Sequence, residues 1–82
     1  MMLWRELLVS SVVHYKDSIN VGFEDSSIRF QLGKKYLRQC GIYWKHIAEG
    51  RRILIKGRKG NEDAHLMRLN ALEEIVLIPE KK

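Results

Sequence analysis

The feature that most constrains the fold is a pair of short runs in which apolar and polar or small residues alternate. Residues 19–23 alternate in this way, and residues 28–32 resume the alternation after the turn-forming sequence Glu24-Asp25-Ser26-Ser27. Alternation with a period of two predicts strands with one buried and one solvent-facing side. A similar run at 12–15, ended by Lys16-Asp17-Ser18, adds a strand before them. The sequence therefore predicts an antiparallel meander over residues 12–32.

The segments flanking the meander are less regular. Residues 2–9 place apolar side chains on one side of a short helix, which would need a partner surface to be stable. Residues 34–49 combine apolar residues at helical spacing with the β-favouring run Ile42-Tyr43-Trp44. We expect a helical or irregular stretch at 34–39, followed by a strand from about 41 to 46.

The C-terminal part begins with an aliphatic strand predicted at 52–57, and Gly57 and Gly60 predict a turn after it. Two interpretations of the next segment stay open. One is a helix at about 62–74, and the other is a returning hairpin arm at 64–69 with a turn at 70–73. In the second interpretation, the aliphatic residues 75–78 form a final buried strand.

Composition indicates one small domain, 1–82, with an anionic partner. The formal charge is +5 and the pI is near 9.6, which favours nucleic acid, nucleotides or an acidic protein surface. The single cysteine, Cys40, excludes an intrachain disulfide and is typical of a reducing compartment. Because Arg5 and Glu6 interrupt the apolar N-terminus, we expect neither a secretory signal nor a membrane span. A cytoplasmic location is predicted.

Two basic groups are candidates for binding an anion, since clustered lysines and arginines neutralise phosphates. The first is a strand and loop at 51–59, and the alternative is that its charges only discourage edge pairing of strands. Its members are Arg51, Arg52, Lys56, Arg58 and Lys59. The second group is Lys34, Lys35 and Arg38 beside Tyr36, a mixture suited to stacking single-stranded bases. Tyr43 and Trp44 would extend that platform, or the three aromatic residues fill the core, as we expect for Trp44.

No catalytic or metal-binding pattern is visible, and no cofactor is implied. His14, His46 and His65 lack metal-ligand spacing, and Cys40 has no second cysteine near it. We therefore predict no enzyme activity. The alternative from this class is a small basic ribonuclease that uses His46 or His65 with flanking cations.

Residues 41–78 resemble a WYL-type domain, a small Sm-like or SH3-like β-barrel of bacterial transcription regulators. The resemblance lies in Gly41-Ile42-Tyr43-Trp44, in Gly50-Arg51-Arg52-Ile53-Leu54-Ile55, in residues 67–72 and in residues 75–78. The tripeptide that names the family is replaced here by Ile53-Leu54-Ile55, and Ala71 stands where the family has arginine. The resemblance implies a regulatory, ligand-sensing barrel, in which Arg68 would contact the nucleotide or nucleic acid.

The predicted fold class is therefore mainly β: a small SH3-like or Sm-like barrel, or a strongly bent antiparallel sheet, with a short N-terminal helix. The alternative is an α+β fold with the helix at about 62–74. The predicted function is non-enzymatic binding of nucleic acid or a nucleotide through residues 51–59. The competing prediction is a protein-interaction or self-associating domain that pairs through the sheet edge at Ile75–Ile78.

Overall fold

Over the part of the chain that the structure describes, five antiparallel strands form a single sheet that curls into a half-barrel. A computed structural model describes residues 2–58 and 72–80. The strands are β1 (Met2–His14), β2 (Ser18–Phe23), β3 (Arg29–Gly33), β4 (Arg52–Arg58) and β5 (Leu72–Leu77). A short helix, α1 (Lys34–Gln39), and a 3-10 turn at Trp44–His46 lie between β3 and β4. The mainly β fold class is confirmed, and so are the predicted meander, the helical stretch at 34–39 and the strand at 52–57.

The longest strand, β1, lies in the middle of the sheet, whose order is β3-β2-β1-β4-β5. Residues 2–8 of β1 pair with β4, whereas residues 9–14 pair with β2 on the opposite side. Each half of β1 therefore belongs mainly to a different part of the sheet. The curl of the half-barrel arises around the point where the pairing changes from one neighbour to the other.

A β-bulge interrupts the register of β1 between Val9 and Ser11. A bulge adds one residue to a strand and increases its local bend and twist. Ser10 and Ser11 are both exposed, whereas Val9 is buried and Val12 packs against the core three positions later. Strict alternation would have turned Val12 to the solvent side. The extra residue thus keeps both valines on the concave side.

The core lies on this concave side and is closed by α1 and the loop that follows it. Its buried side chains are aliphatic or phenyl groups. They are Leu7, Val9, Ile19, Val21, Phe23, Ile28, Phe30, Leu32, Leu37, Ile42, Ile47, Ile53, Ile55 and Ile75. Burying one such side chain stabilises a fold by about 1.5–3 kcal/mol relative to leaving it exposed. Four of the buried side chains come from outside the strands. Ile28 precedes β3, whereas Leu37, Ile42 and Ile47 lie on α1 and the loop after it, so α1 and its loop are part of the fold.

The predicted N-terminal helix at 2–9 is wrong, because these residues form the first part of β1. Apolar side chains lie on both faces of this part of the strand. Leu7 is buried in the core, whereas Leu8 is half-buried and Trp4 is 49% exposed on the other side. Apolar residues on both faces remove the visible period of two and imitate helical spacing.

The predicted strand at 41–46 is also wrong. Gly41 has a φ of +78° directly after α1, a left-handed conformation that glycine adopts without steric cost. The chain then enters the 3-10 turn at Trp44–His46. Aromatic and β-branched residues favour strands only where a sheet neighbour accepts them, and here Ile42 packs into the core instead.

The final aliphatic strand is confirmed but begins earlier than predicted. β5 starts at Leu72, so residues 72 and 73 belong to a strand rather than to the predicted turn at 70–73. A helix reaching residue 74 is wrong for the same reason. The strand paired with β4 on this side is β5, with Ile55 opposite Ile75. The hairpin arm at 64–69, the rest of the alternative helix and the loop around Gly60 lie outside the described residues.

Asp25 organises the turn between β2 and β3. Its carboxylate accepts hydrogen bonds from the hydroxyl and the backbone N–H of Ser27, and it pairs with the Arg5 guanidinium at 2.6 Å. The Ser27 hydrogen bonds, and after them the charge of Arg5, lower the pKa of Asp25 below its usual value of 3.8. The ionised carboxylate therefore stabilises the folded state.

We predict that Asp25→Asn destabilises the protein at neutral pH and that the difference from wild type disappears in acid. Because the folded-state pKa is depressed, the stabilisation is present above the unfolded-state value and is lost as pH falls through the folded-state pKa. Urea midpoints of both proteins should converge as pH falls from about 5 to about 2. A difference that does not change with pH would mean that the charge contributes nothing.

Gly22 gives a second prediction, because a Cβ built at this position would lie 2.6 Å from the Ser11 hydroxyl oxygen across the β1–β2 pair. Gly22→Ala should lower the free energy of unfolding by about 1 kcal/mol through this overlap. In a Ser11→Ala background, which removes the hydroxyl, the same substitution should be neutral or stabilising because alanine reduces the freedom of the unfolded chain. Equal effects in both backgrounds, measured by urea unfolding, would show that the hydroxyl is not the obstacle.

Candidate functional site

The end of α1 fixes the position of the loop that carries Tyr43 and Trp44. The N–H of Ile42 donates to the carbonyl of Leu37, and the N–H of Gly41 donates to the carbonyl of Arg38, both at 2.9 Å. This pair of bonds is a Schellman motif, and its usual apolar contact is supplied by Leu37 and Ile42, which are both buried in the core. The residues immediately after Ile42 are therefore held against the sheet.

Trp44 is the centre of a group of aromatic and cationic side chains. The Lys34 ammonium lies 3.9 Å from the centroid of the Trp44 ring, and the Lys45 ammonium lies 5.6 Å from it. His14, at the end of β1, meets the ring edge to face at 5.4 Å. Trp44 is partly buried against the core, so it anchors the group, in partial agreement with the core position expected for it.

Tyr43 differs from Trp44 because it is 52% exposed and does not belong to the core. Its ring centroid lies 5.9 Å from that of Trp44 and 5.4 Å from that of His46. The planes of these two neighbours are inclined to it by 61° and 83°. Neither neighbour is therefore stacked parallel to the Tyr43 ring.

The helix that supplies Lys34 to this group carries two further cations. Lys35 and Arg38 are exposed, and no ion pair is formed by either of them within the described residues. Lys34 begins the helix, and its N–H donates to the carbonyl of Asp17. We call the set the aromatic–cation surface; its members are His14, Lys34, Lys35, Arg38, Tyr43, Trp44, Lys45 and His46.

The sequence around this surface has an uneven charge distribution. From Ser26 to Ala48 the chain contains no aspartate or glutamate. The same stretch contains Arg29, Lys34, Lys35, Arg38 and Lys45. All of these except Arg29, on the edge strand β3, belong to the aromatic–cation surface. The positive charge of this region is therefore not neutralised by acidic side chains of the same stretch.

The predicted site residues of the 51–59 group are not members of the aromatic–cation surface. The Arg51 guanidinium donates to the carbonyls of His46 and Ile78 and pairs with Glu80 at 3.3 Å, and its side chain is 17% exposed. It therefore fastens the loop before β4 to the segment after β5. Its Nε is buried without a partner among the described residues.

The other members of that group are either paired or only partly described. Arg52 pairs with Glu6 at 3.2 Å. Lys56 is half-buried, with its ammonium 5.5 Å from the Trp4 ring centroid on the convex side of the sheet. Arg58 is the last residue of β4, whereas Lys59 and Arg68 lie outside the described residues. The three described side chains, those of Arg51, Arg52 and Lys56, therefore do not form one open cluster.

A cleft of about 500 Å³ lies beside Arg51 and Arg52. Glu6, Glu80 and Pro79 contribute to its lining. Because each arginine already has a carboxylate partner here, an incoming anion would have to displace a glutamate. The cleft is therefore less suited to anion binding than the aromatic–cation surface.

Sequence reasoning found part of the surface and missed part of it. Lys34, Lys35 and Arg38 were predicted, and Tyr36 is half-buried and packs against the core beneath them. Lys45 was missed although it follows Trp44 directly, which was a local signal. His14 was missed because a contact between residues 14 and 44 depends on the curl of the sheet, for which the sequence gives no local sign.

Within the part of the chain that the structure describes, no helix is long and apolar enough to cross a membrane. The described residues also contain no group of three or more His, Cys, Asp or Glu side chains arranged to hold a metal ion. Cys40, at the end of α1, is a free thiol that is partly buried against the core.

We predict that Arg51→Ala and Arg52→Ala have different effects on stability. Loss of Arg51 removes hydrogen bonds to two carbonyls and a partly buried ion pair, so the free energy of unfolding should fall by about 1–3 kcal/mol. Loss of Arg52 removes one exposed ion pair and should cost less than about 1 kcal/mol. Urea unfolding measures both values, and a larger loss for Arg52→Ala would contradict this assignment.

No family model matches this chain, and no curated protein or solved structure does either. The WYL-type resemblance of residues 41–78 thus stays a prediction. The function has to be argued from the aromatic–cation surface itself.

Proposed function

We propose that this protein is a non-enzymatic domain that binds nucleic acid or a nucleotide through the aromatic–cation surface. The observation that carries the proposal is the combination of two cations, Lys35 and Arg38, that form no ion pair within the described residues, with the exposed ring of Tyr43 in a region of sequence without acidic residues. This is the second of the two basic groups predicted from the sequence. It replaces the 51–59 strand as the main candidate, because Arg51 and Arg52 are engaged in ion pairs.

Electrostatic attraction to phosphate is the first part of the mechanism. Lysine and arginine side chains that contact phosphates release condensed counterions, and this release supplies affinity without reading a base sequence. Four phosphate contacts on a single strand correspond to a slope of about 3 in log affinity against log salt. Raising salt from about 50 to about 200 mM should then weaken binding roughly 50-fold.

The aromatic residues supply the second part, because base–aromatic stacking adds affinity that salt does not screen. The contact between the Lys34 ammonium and the Trp44 ring holds this cation at the aromatic group. A regulatory role, suggested by the WYL-type resemblance, and a cytoplasmic location, suggested by the single cysteine, belong to the same proposal.

The test compares two double variants that change the net charge equally. We predict that Lys35→Ala with Arg38→Ala weakens binding to a labelled oligonucleotide and lowers the salt slope by about 1.4, since two phosphate contacts are lost. Alanine is a strong helix former, so α1 should persist. Arg58→Ala with Lys59→Ala removes two charges from the other basic group and should have the smaller effect.

Fluorescence anisotropy at two salt concentrations measures both variants against wild type. A larger effect of the Arg58 and Lys59 variant would move the site back to residues 51–59. Equal small effects would indicate attraction to the net charge of +5 rather than to a defined surface.

A second candidate function, association with another copy or with a protein partner, is favoured by one observation. β5 lies at one end of the described strand order, and Val76 on it is 39% exposed. An edge strand offers backbone groups to an added strand. Apolar association responds little to salt, so sedimentation at the same two salt concentrations separates this function from phosphate binding.

The ribonuclease alternative is tested in the same samples. His46 is exposed beside Tyr43, whereas His65 lies outside the described residues. A denaturing gel after incubation with RNA shows whether bound RNA is cleaved, and cleavage lost in His46→Ala would replace the binding proposal by hydrolysis.

A further inference from the structure

We propose, on the basis of the function proposed above, that the aromatic–cation surface selects single-stranded over duplex nucleic acid and that Tyr43 is the residue that stacks on an unpaired base. The inference concerns the class of nucleic acid and assigns separate roles to Tyr43 and Trp44. It is carried by the different surroundings of these two adjacent rings.

The Trp44 ring is already in contact with other side chains of the protein. The Lys34 ammonium lies over its ring at 3.9 Å, His14 meets it edge to face, and its side chain packs against the core. A base could stack on the covered face only by displacing Lys34. Trp44 therefore positions the surface rather than receiving a base.

Tyr43 is more exposed than Trp44 and is not packed into the core. Half of its side chain is exposed, at 52%, and it lies outside the core cluster. Trp44 and His46 meet it at steep angles of 61° and 83°, so neither is stacked parallel on its ring, and the exposed half of the side chain is the part open to a base. These edge contacts also restrict the orientation of the ring, which lowers the entropy lost when a base stacks on it.

The cationic side chains lie where they could contact the same nucleic acid strand as Tyr43. Lys34 and Lys45 both lie close to Trp44, whose ring is the immediate neighbour of Tyr43. Lys34 and Arg38 are one helical turn apart on α1. A base on Tyr43 and the phosphates beside that base would therefore be contacted by one continuous surface.

Stacking on Tyr43 requires a base with a free face. In a duplex the faces are covered by neighbouring base pairs, whereas a single strand can splay a base outward. A surface that used only its charges would bind duplex DNA well, because the duplex carries a phosphate charge about every 1.7 Å along its axis. Preference for the single strand is thus the signature of the stacking contact.

The experiment measures anisotropy of labelled oligo(dT), oligo(rU) and a duplex DNA of equal length, at low salt, with the full chain. Tyr43→Ala should lose about tenfold in affinity for both single strands and little for the duplex. Tyr43→Phe should retain binding because the ring remains. Tyr15→Ala is the control, since Tyr15 is 51% exposed but is not a member of the surface.

Tyr43→Leu provides a second variant that keeps apolar volume without a π face, and circular dichroism checks the fold of each variant. If Tyr43→Ala loses affinity for the single strands whereas Tyr43→Leu binds them as wild type does, the effect is due to packing rather than stacking. That result would overturn the inference. Duplex binding as tight as single-strand binding, with a steep salt dependence, would overturn the inference but leave the proposed function standing. Absence of salt-sensitive binding to all three probes would overturn both.

Discussion

The rest of the structure depends on one strand that changes neighbours halfway along its length. β1 pairs with β4 through residues 2–8 and with β2 through residues 9–14, and the bulge between Val9 and Ser11 lies at the start of the second region. A flat sheet of five short strands would leave its apolar face open to water. The bulge lets the strand bend while Val9 and Val12 stay on the same side. The resulting concavity is shallow enough for α1 and a single loop to close.

The closing segment is also the segment that carries the candidate site, and the two roles depend on the same residues. Leu37 and Ile42 contribute to the core from either side of Gly41. The positive φ of Gly41 reverses the chain at the helix end, so that one short stretch buries two apolar side chains and still presents Tyr43 outward. The aromatic–cation surface therefore needs no support of its own, because the forces that complete the core also fix its geometry.

Most of the strands could be predicted from the sequence, since alternation at 19–23 and 28–32 reports a sheet with one wet face. The N-terminal part of the first strand could not, because Trp4 and Leu8 make its outer side apolar as well. The apolar spacing of residues 34–49 does not show where the helix ends, although the position of Gly41 after Arg38, Gln39 and Cys40 is that of a helix-ending glycine. In this chain, local alternation of apolar residues predicts strands, whereas single glycines and a bulge determine where strands and the helix end or bend.

For the candidate site, sequence charge alone could not separate cations with partners from cations without them. Arg51 and Arg52 stand in the most basic stretch, yet their carboxylate partners, Glu80 and Glu6, are distant in sequence and are brought to them by the sheet. The absence of acidic residues from 26 to 48 was a simpler signal, and it coincides with the cations for which the described residues supply no ion pair.

The position of Lys34 over Trp44 has an optical consequence. An ammonium ion so close to an indole perturbs the excited state of the ring, and the chain has just one other tryptophan, Trp4, which is exposed on the convex side of the sheet. Replacing Trp4 with phenylalanine would leave Trp44 as the sole indole. Its emission would then report any movement of Lys34 away from the ring without an attached dye, so the molecule contains its own spectroscopic probe of the surface.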